Sequence, residues 1–72
     1  MSGDDYERVA LTYLKASISG KAVLVKTEDE REVWIPRSLL HAADDTAIER
    51  LARGAEVRWQ VRSWFVARES LA

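Results

Sequence analysis

The chain has 72 residues, a length that makes one domain, and 11 Lys and Arg against 12 Asp and Glu, for a net charge of −1. That balance speaks against a dedicated polyanion binder, which carries a basic excess, and the lack of Cys excludes disulfides and thiolate metal sites. A chain this short buries only about 60–65% of its unfolded surface, so its three Trp are each assigned to the core by default.

Residues 1–5 are polar and read as a flexible tail, with residues 6–72 as a single small α+β domain. The start MSGDDYER is acidic, the opposite of a signal peptide, and no apolar run approaches the roughly 18–20 residues of a membrane span. The reading is a soluble, intracellular protein. Val9, Leu11 and Tyr13 alternate, and Leu14, Ala16 and Ile18 resume the alternation out of phase, as a β-bulge or strong bend near 13–14 produces. A strand over 11–17 is preferred to a helix over 6–15, and Ser19-Gly20 ends it as a turn.

A second strand spans 21–27, where Ala22 to Val25 are all apolar and both faces are covered at least in part. The connection 27–31 lacks Gly, which favours a longer loop built on a type I turn over a two-residue turn. The third strand, 32–36, places Val33 and Ile35 on one face and Trp34 on the other. Pro36 cannot donate to a ladder, so this strand ends there or lies at an edge. Asp44 or Asp45 then caps a short helix over 46–53, with Gly54 as its stop. The fourth strand, 55–62, sends Val57, Trp59 and Val61 inward and Arg58, Gln60 and Arg62 outward. Ser63 caps a final helix over 64–71, with Trp64, Phe65, Ala67, Arg68 and Leu71 as its inward stripe. The expected fold is a small antiparallel sheet or SH3-like, partly open barrel of about four strands. It carries an inserted helix, and the terminal helix closes one mouth.

Chemistry is sparse. His41 is the only histidine and reads as structural or exposed; no metal set, phosphate loop or nucleophile motif accompanies it, so neither enzyme nor cofactor is expected. Recognition is the better-supported class. Trp34, Arg37, Arg58 and Arg62 form a candidate protein-binding patch of the composition found at hot spots, which is also that of a single-stranded nucleic-acid platform. The plain alternative is a solvated strand face. Glu28, Asp29 and Glu30 form a candidate acidic contact, and with Asp44 and Asp45 they would make an acidic knob if the two loops met.

The segments KAVLV at 21–25, EVWIPRS at 32–38 and WFVARESL at 64–71, about half the chain, resemble a family of very small phage- and prophage-encoded proteins. The stretch 41–54 departs from that family's simpler pattern. The resemblance implies a non-enzymatic inhibitor of the anti-CRISPR type, acting in the host cytoplasm as a monomer or weak homodimer. It would bind a host protein or ribonucleoprotein surveillance complex and block its target-DNA binding. A small single-stranded nucleic-acid-binding barrel of phage replication or regulation is the alternative.

Overall fold

The computed structural model describes residues 5–71. The expected tail therefore lies outside the described residues except for Asp5, whose carbonyl accepts a hydrogen bond from Ser63 N at 2.9 Å. Four strands, β1 (Tyr6–Ala16), β2 (Ala22–Lys26), β3 (Glu32–Pro36) and β4 (Glu56–Arg62), form one open antiparallel sheet in the order β3-β2-β1-β4. Two short helices, α1 (Ala42–Ala47) and α2 (Ser63–Glu69), complete a small α+β fold.

The first strand starts five residues earlier than expected, because Tyr6 to Thr12 pair with β4 while Thr12 to Ala16 pair with β2. The expected irregularity is present: the β1–β2 register shifts between Tyr13 and Lys15, with Leu14 as the extra residue. This bulge lets one strand serve two partners by bending where it passes from one to the other.

The inner face carries Val9, Leu11, Tyr13, Val23, Val25, Ile35, Trp59 and Val61, all buried. Leu40, Ile48, Phe65, Val66 and Leu71 cover them and complete one core. Assigning all three Trp to the core fails for two of them: Trp59 is 3% exposed, but Trp34 and Trp64 are 46% and 49% exposed. Trp34 sits on the outer face of an edge strand, and on α2 the inward position goes to Val66, outside the expected stripe. On β4, Trp59 and Val61 are buried and Arg58 exposed, as alternation requires, while Val57, Gln60 and Arg62 are half-buried.

Pro36 ends β3, which lies at an edge as its chemistry demands. Arg37 N donates to Lys21 O at 2.9 Å and Thr27 N to Arg31 O at 2.8 Å. These two bonds phase the ladder so that residues 33 and 35 face β2 while 32, 34 and 36 face outward. Pro36 therefore lacks an N–H only where no ladder bond is available, and it blunts the open edge.

The inserted helix differs from expectation. It begins four residues earlier, is capped by His41 rather than by Asp44 or Asp45, and gives way to a 3₁₀ turn at 48–50 instead of continuing to 53. His41 Nδ1 accepts from Ala43 N at 3.2 Å. His41 N donates to Gln60 O at 2.9 Å, and Gln60 N donates to Asp44 Oδ2 at 2.8 Å. With the Leu40–Val61 bridge, these bonds cover the β4 edge that would otherwise be open there. The expected Ser63 cap is also absent: Arg62 occupies the cap position of α2 without a side-chain bond.

Both hairpin turns are built alike. Ser17 O accepts from Gly20 N and Thr27 O from Glu30 N, each at 2.9 Å, and the hydroxyls of Ser17 and Thr27 each accept a backbone N–H at 3.1 Å. Gly20 has φ 74° and Glu30 has φ 65°, the left-handed region where a side chain costs roughly 1–2 kcal/mol. Glu30→Gly is thus expected to stabilise the fold by about 0.5–1 kcal/mol, the relief being partly offset by glycine's freedom when unfolded. An unchanged or lower midpoint in urea unfolding would contradict this.

Candidate functional site

Side chains directly opposite in register share a face, so the outer face of the sheet can be followed row by row. From one end it runs Tyr6–Arg62, Arg8–Gln60, Ala10–Arg58, then Thr12 between Lys26 and Glu56, then Lys15–Leu24–Trp34. Glu32 stands opposite Lys26. Among the described residues this face thus carries Arg8, Lys15, Lys26, Arg58 and Arg62 with Glu32 and Glu56. Five of the 11 Lys and Arg of a chain of net charge −1 thus stand on the sheet surface that the helices leave open.

The candidate patch of Trp34, Arg37, Arg58 and Arg62 is not brought together. Trp34 lies on β3 and the two β4 arginines on the opposite edge. Their rows are at least five residues apart along β1, about 16 Å at ~3.3 Å per residue. Two poles result.

At the basic pole Arg62 Cζ lies 4.7 Å from the Tyr6 ring centroid, and the Tyr6 ring meets His41 edge-on at 5.3 Å. Arg58 is exposed above Ala10. At the apolar pole Lys15 Nζ lies 6.0 Å from the Trp34 ring centroid. Beside them Ile18, at the tip of the β1–β2 turn, is wholly exposed at 109%. Lys15, Ala16, Ser17, Ile18, Ser19 and Trp34 line an open groove of about 550 Å³.

Arg37 belongs to neither pole. Its Nε donates to Asp45 Oδ1 at 2.7 Å, Nη2 to Asp45 O at 3.2 Å and Nη1 to Gly20 O at 3.3 Å. The hydrogen bond and charge of Asp45 hold its proton more tightly than in a free arginine. This guanidinium fastens α1 to the β1–β2 turn.

The acidic loop is divided in the same way. Glu28 and Glu30 are exposed, but the Asp29 carboxylate accepts from the Thr27 hydroxyl and, at 2.9 Å, from Arg31 Nε. The Thr27 bond foremost, then Arg31, holds its pKa below the ordinary carboxylate value. Arg31 Nη2 reaches on to Glu69 O at 3.1 Å and Ser70 O at 2.7 Å, the carbonyl end of α2 where a cation is favoured. No acidic knob forms. Asp44 and Asp45 are committed to Gln60 and Arg37 at the base of the β2–β3 hairpin, and Glu28 to Glu30 lie at its tip.

Ile18, Lys15 and Tyr6 are the surface residues that sequence reasoning missed. Ile18 carried the one available signal, a large aliphatic next to Ser-Gly in a turn. Among the described residues no group of three or more His, Asp or Glu could hold a metal, and no helix is long and apolar enough to cross a membrane. The chain matches no protein-family model, and neither a curated protein nor a solved structure is similar to it beyond chance.

Proposed function

We propose that this chain is a non-enzymatic binding protein that occupies a protein surface through the outer face of its sheet. The observation that carries the reading is the joint exposure of Ile18 and Trp34 beside Lys15, on the face opposite the helices. A large aromatic next to an exposed aliphatic and a cation has the make-up of a binding hot spot. Among the described residues the groups whose pKa is shifted, Asp29 and Arg37, owe it to bonds that hold the fold together, which favours binding over catalysis. The resemblance of its hairpin and terminal segments to small phage proteins supplies the partner class: a host CRISPR-Cas surveillance complex in the cytoplasm, stoichiometrically blocked from target DNA.

One observation favours the second reading, a single-stranded nucleic-acid platform: the cations on that same face, with the exposed Trp34 ring available for stacking. The test is a phage-plaquing assay in a CRISPR-competent host beside an oligonucleotide shift assay. Trp34→Ala with Arg58→Ala should weaken inhibition about thirtyfold or more, as loss of at least 2 kcal/mol of hot-spot energy implies. Unaltered plaquing, together with an oligonucleotide shift whose affinity falls steeply with salt, would replace the first reading by the second.

A further inference from the structure

The groove at the apolar pole has a composition that narrows its occupant further. It is lined by the apolar Trp34, Ala16 and Ile18 and by the polar Lys15, Ser17 and Ser19. Among the described residues no carboxylate lines it, and Lys15 supplies its only charge. The nearest outer-face carboxylate along the ladder, Glu32, stands opposite Lys26, one row removed.

The turn that carries Ile18 is tied by hydrogen bonds. Ser17 O accepts from Gly20 N at 2.9 Å, Ser17 Oγ accepts from Ala22 N at 3.1 Å, and Ser17 Oγ and Ser19 Oγ lie 3.3 Å apart. Arg37 Nη1 bonds Gly20 O at 3.3 Å, tying the turn to α1. Ile18 is thereby presented on a turn that need not be ordered when a partner arrives, which lowers the entropy lost on binding.

Resting on the protein-binding reading above, we infer that this groove takes an acidic protein segment, inserting one apolar side chain between Ile18 and Trp34 with a flanking carboxylate against Lys15. Charge complementarity selects the occupant. A basic segment would bring a second cation to the Lys15 ammonium, whereas a carboxylate is attracted to it. A phosphate chain fits less well, since its repeating charge needs a track of cations and the groove has one.

The experiment is an NMR titration of the full ¹⁵N-labelled chain with the peptide Ac-EELFEE-NH₂, and with Ac-KKLFKK-NH₂ and Ac-EEAAEE-NH₂ for comparison. The Trp34 indole N–H and the Ile18 amide should move with the first peptide, while the Trp64 indole stays fixed. The basic and alanine peptides should bind at least tenfold more weakly. Ile18→Asp, a change at a wholly exposed position, should abolish the response, and Lys15→Glu should invert the preference toward the basic peptide.

Equal binding of the acidic and basic peptides would overturn the inference. So would shifts centred on Arg58 and Arg62, or movement of the Ile18 and Trp34 signals with protein concentration alone, which would assign the groove to a second copy. Failure here with plaquing still sensitive to Trp34→Ala would leave the protein partner standing and remove only its acidic anchor. Failure of both, with an oligonucleotide moving the Arg58 and Arg62 signals, would remove the protein reading itself.

Discussion

Replacing Trp59 by Ala is expected to destabilise the domain by about 3–5 kcal/mol, the cost of deleting a large buried aromatic. Trp59 is 3% exposed near the middle of β4, with its ring edge-on to Tyr13 at a centroid distance of 6.3 Å. It faces Val9 across the ladder, so its removal opens a void between the sheet and the helices that cover it. Domains of this length are held by roughly 4–11 kcal/mol at about 0.05–0.15 kcal/mol per residue, and small ones lie toward the lower end. The substitution consumes most of that margin. Trp64→Ala is the matched control: the same chemical deletion at a 49% exposed position, where only part of the area and an edge contact with Phe65 at 5.8 Å are lost. It should cost about 1 kcal/mol. Urea unfolding of both variants checks the pair, and a Trp59→Ala protein no less stable than Trp64→Ala would refute the core assignment.

That contrast also marks how far the fold was legible in the sequence. Strand alternation has a period of two, so one buried residue fixes the side of every other, and Val57, Trp59 and Val61 could be assigned as a set. Pro36 and the bulge near Leu14 were equally readable, since each is a local steric or phase statement. Trp34 and Trp64 were not. Hydrophobicity alone places a Trp inside, but an edge strand and the first turn of a helix each have a side with nothing to pack against. The inserted helix was misplaced for a related reason. Asp44 and Asp45 are good caps by propensity, yet tertiary partners claimed them, Gln60 N for one and Arg37 for the other, and His41 took the cap instead. Short-range rules cannot foresee which long-range donor wins such a competition.

The candidate site fared similarly. Arg58 and Trp34 do stand on the outer face, as alternation required, but the strand order separates them, and order is set by how distant segments pair. Arg37 and Asp29 look like free charges in the sequence and are fasteners in the fold. Ile18 reads as the continuation of a strand and is instead the tip of a turn.

The C-terminal helix carries the second large effect. Truncation after Arg62 is expected to abolish cooperative unfolding and leave an insoluble or molten chain. Phe65, Val66 and Leu71 are the buried residues of that segment, and they lie over the inner face formed by Val9, Trp59 and Val61. Each contributes about 1.5–3 kcal/mol when fully buried, so together they rival the whole stability of the domain. The loss extends beyond area. Leu71 N donates to Val66 O at 3.0 Å and Ser70 adopts φ 54°, so the chain turns back at the helix end and brings Leu71 onto the core. Arg31 would lose both carbonyl acceptors at Glu69 and Ser70, leaving the β2–β3 turn unanchored. Val66→Asp in the full chain is the finer probe, because it keeps the length and buries a charge at a 2% exposed position without a partner. Both proteins should lose the sharp thermal transition and bind a hydrophobic dye. Arg31→Ala, which removes only the clamp, should lower the midpoint while keeping the transition cooperative. A truncated chain that still melts sharply would show that the sheet can close its core without α2.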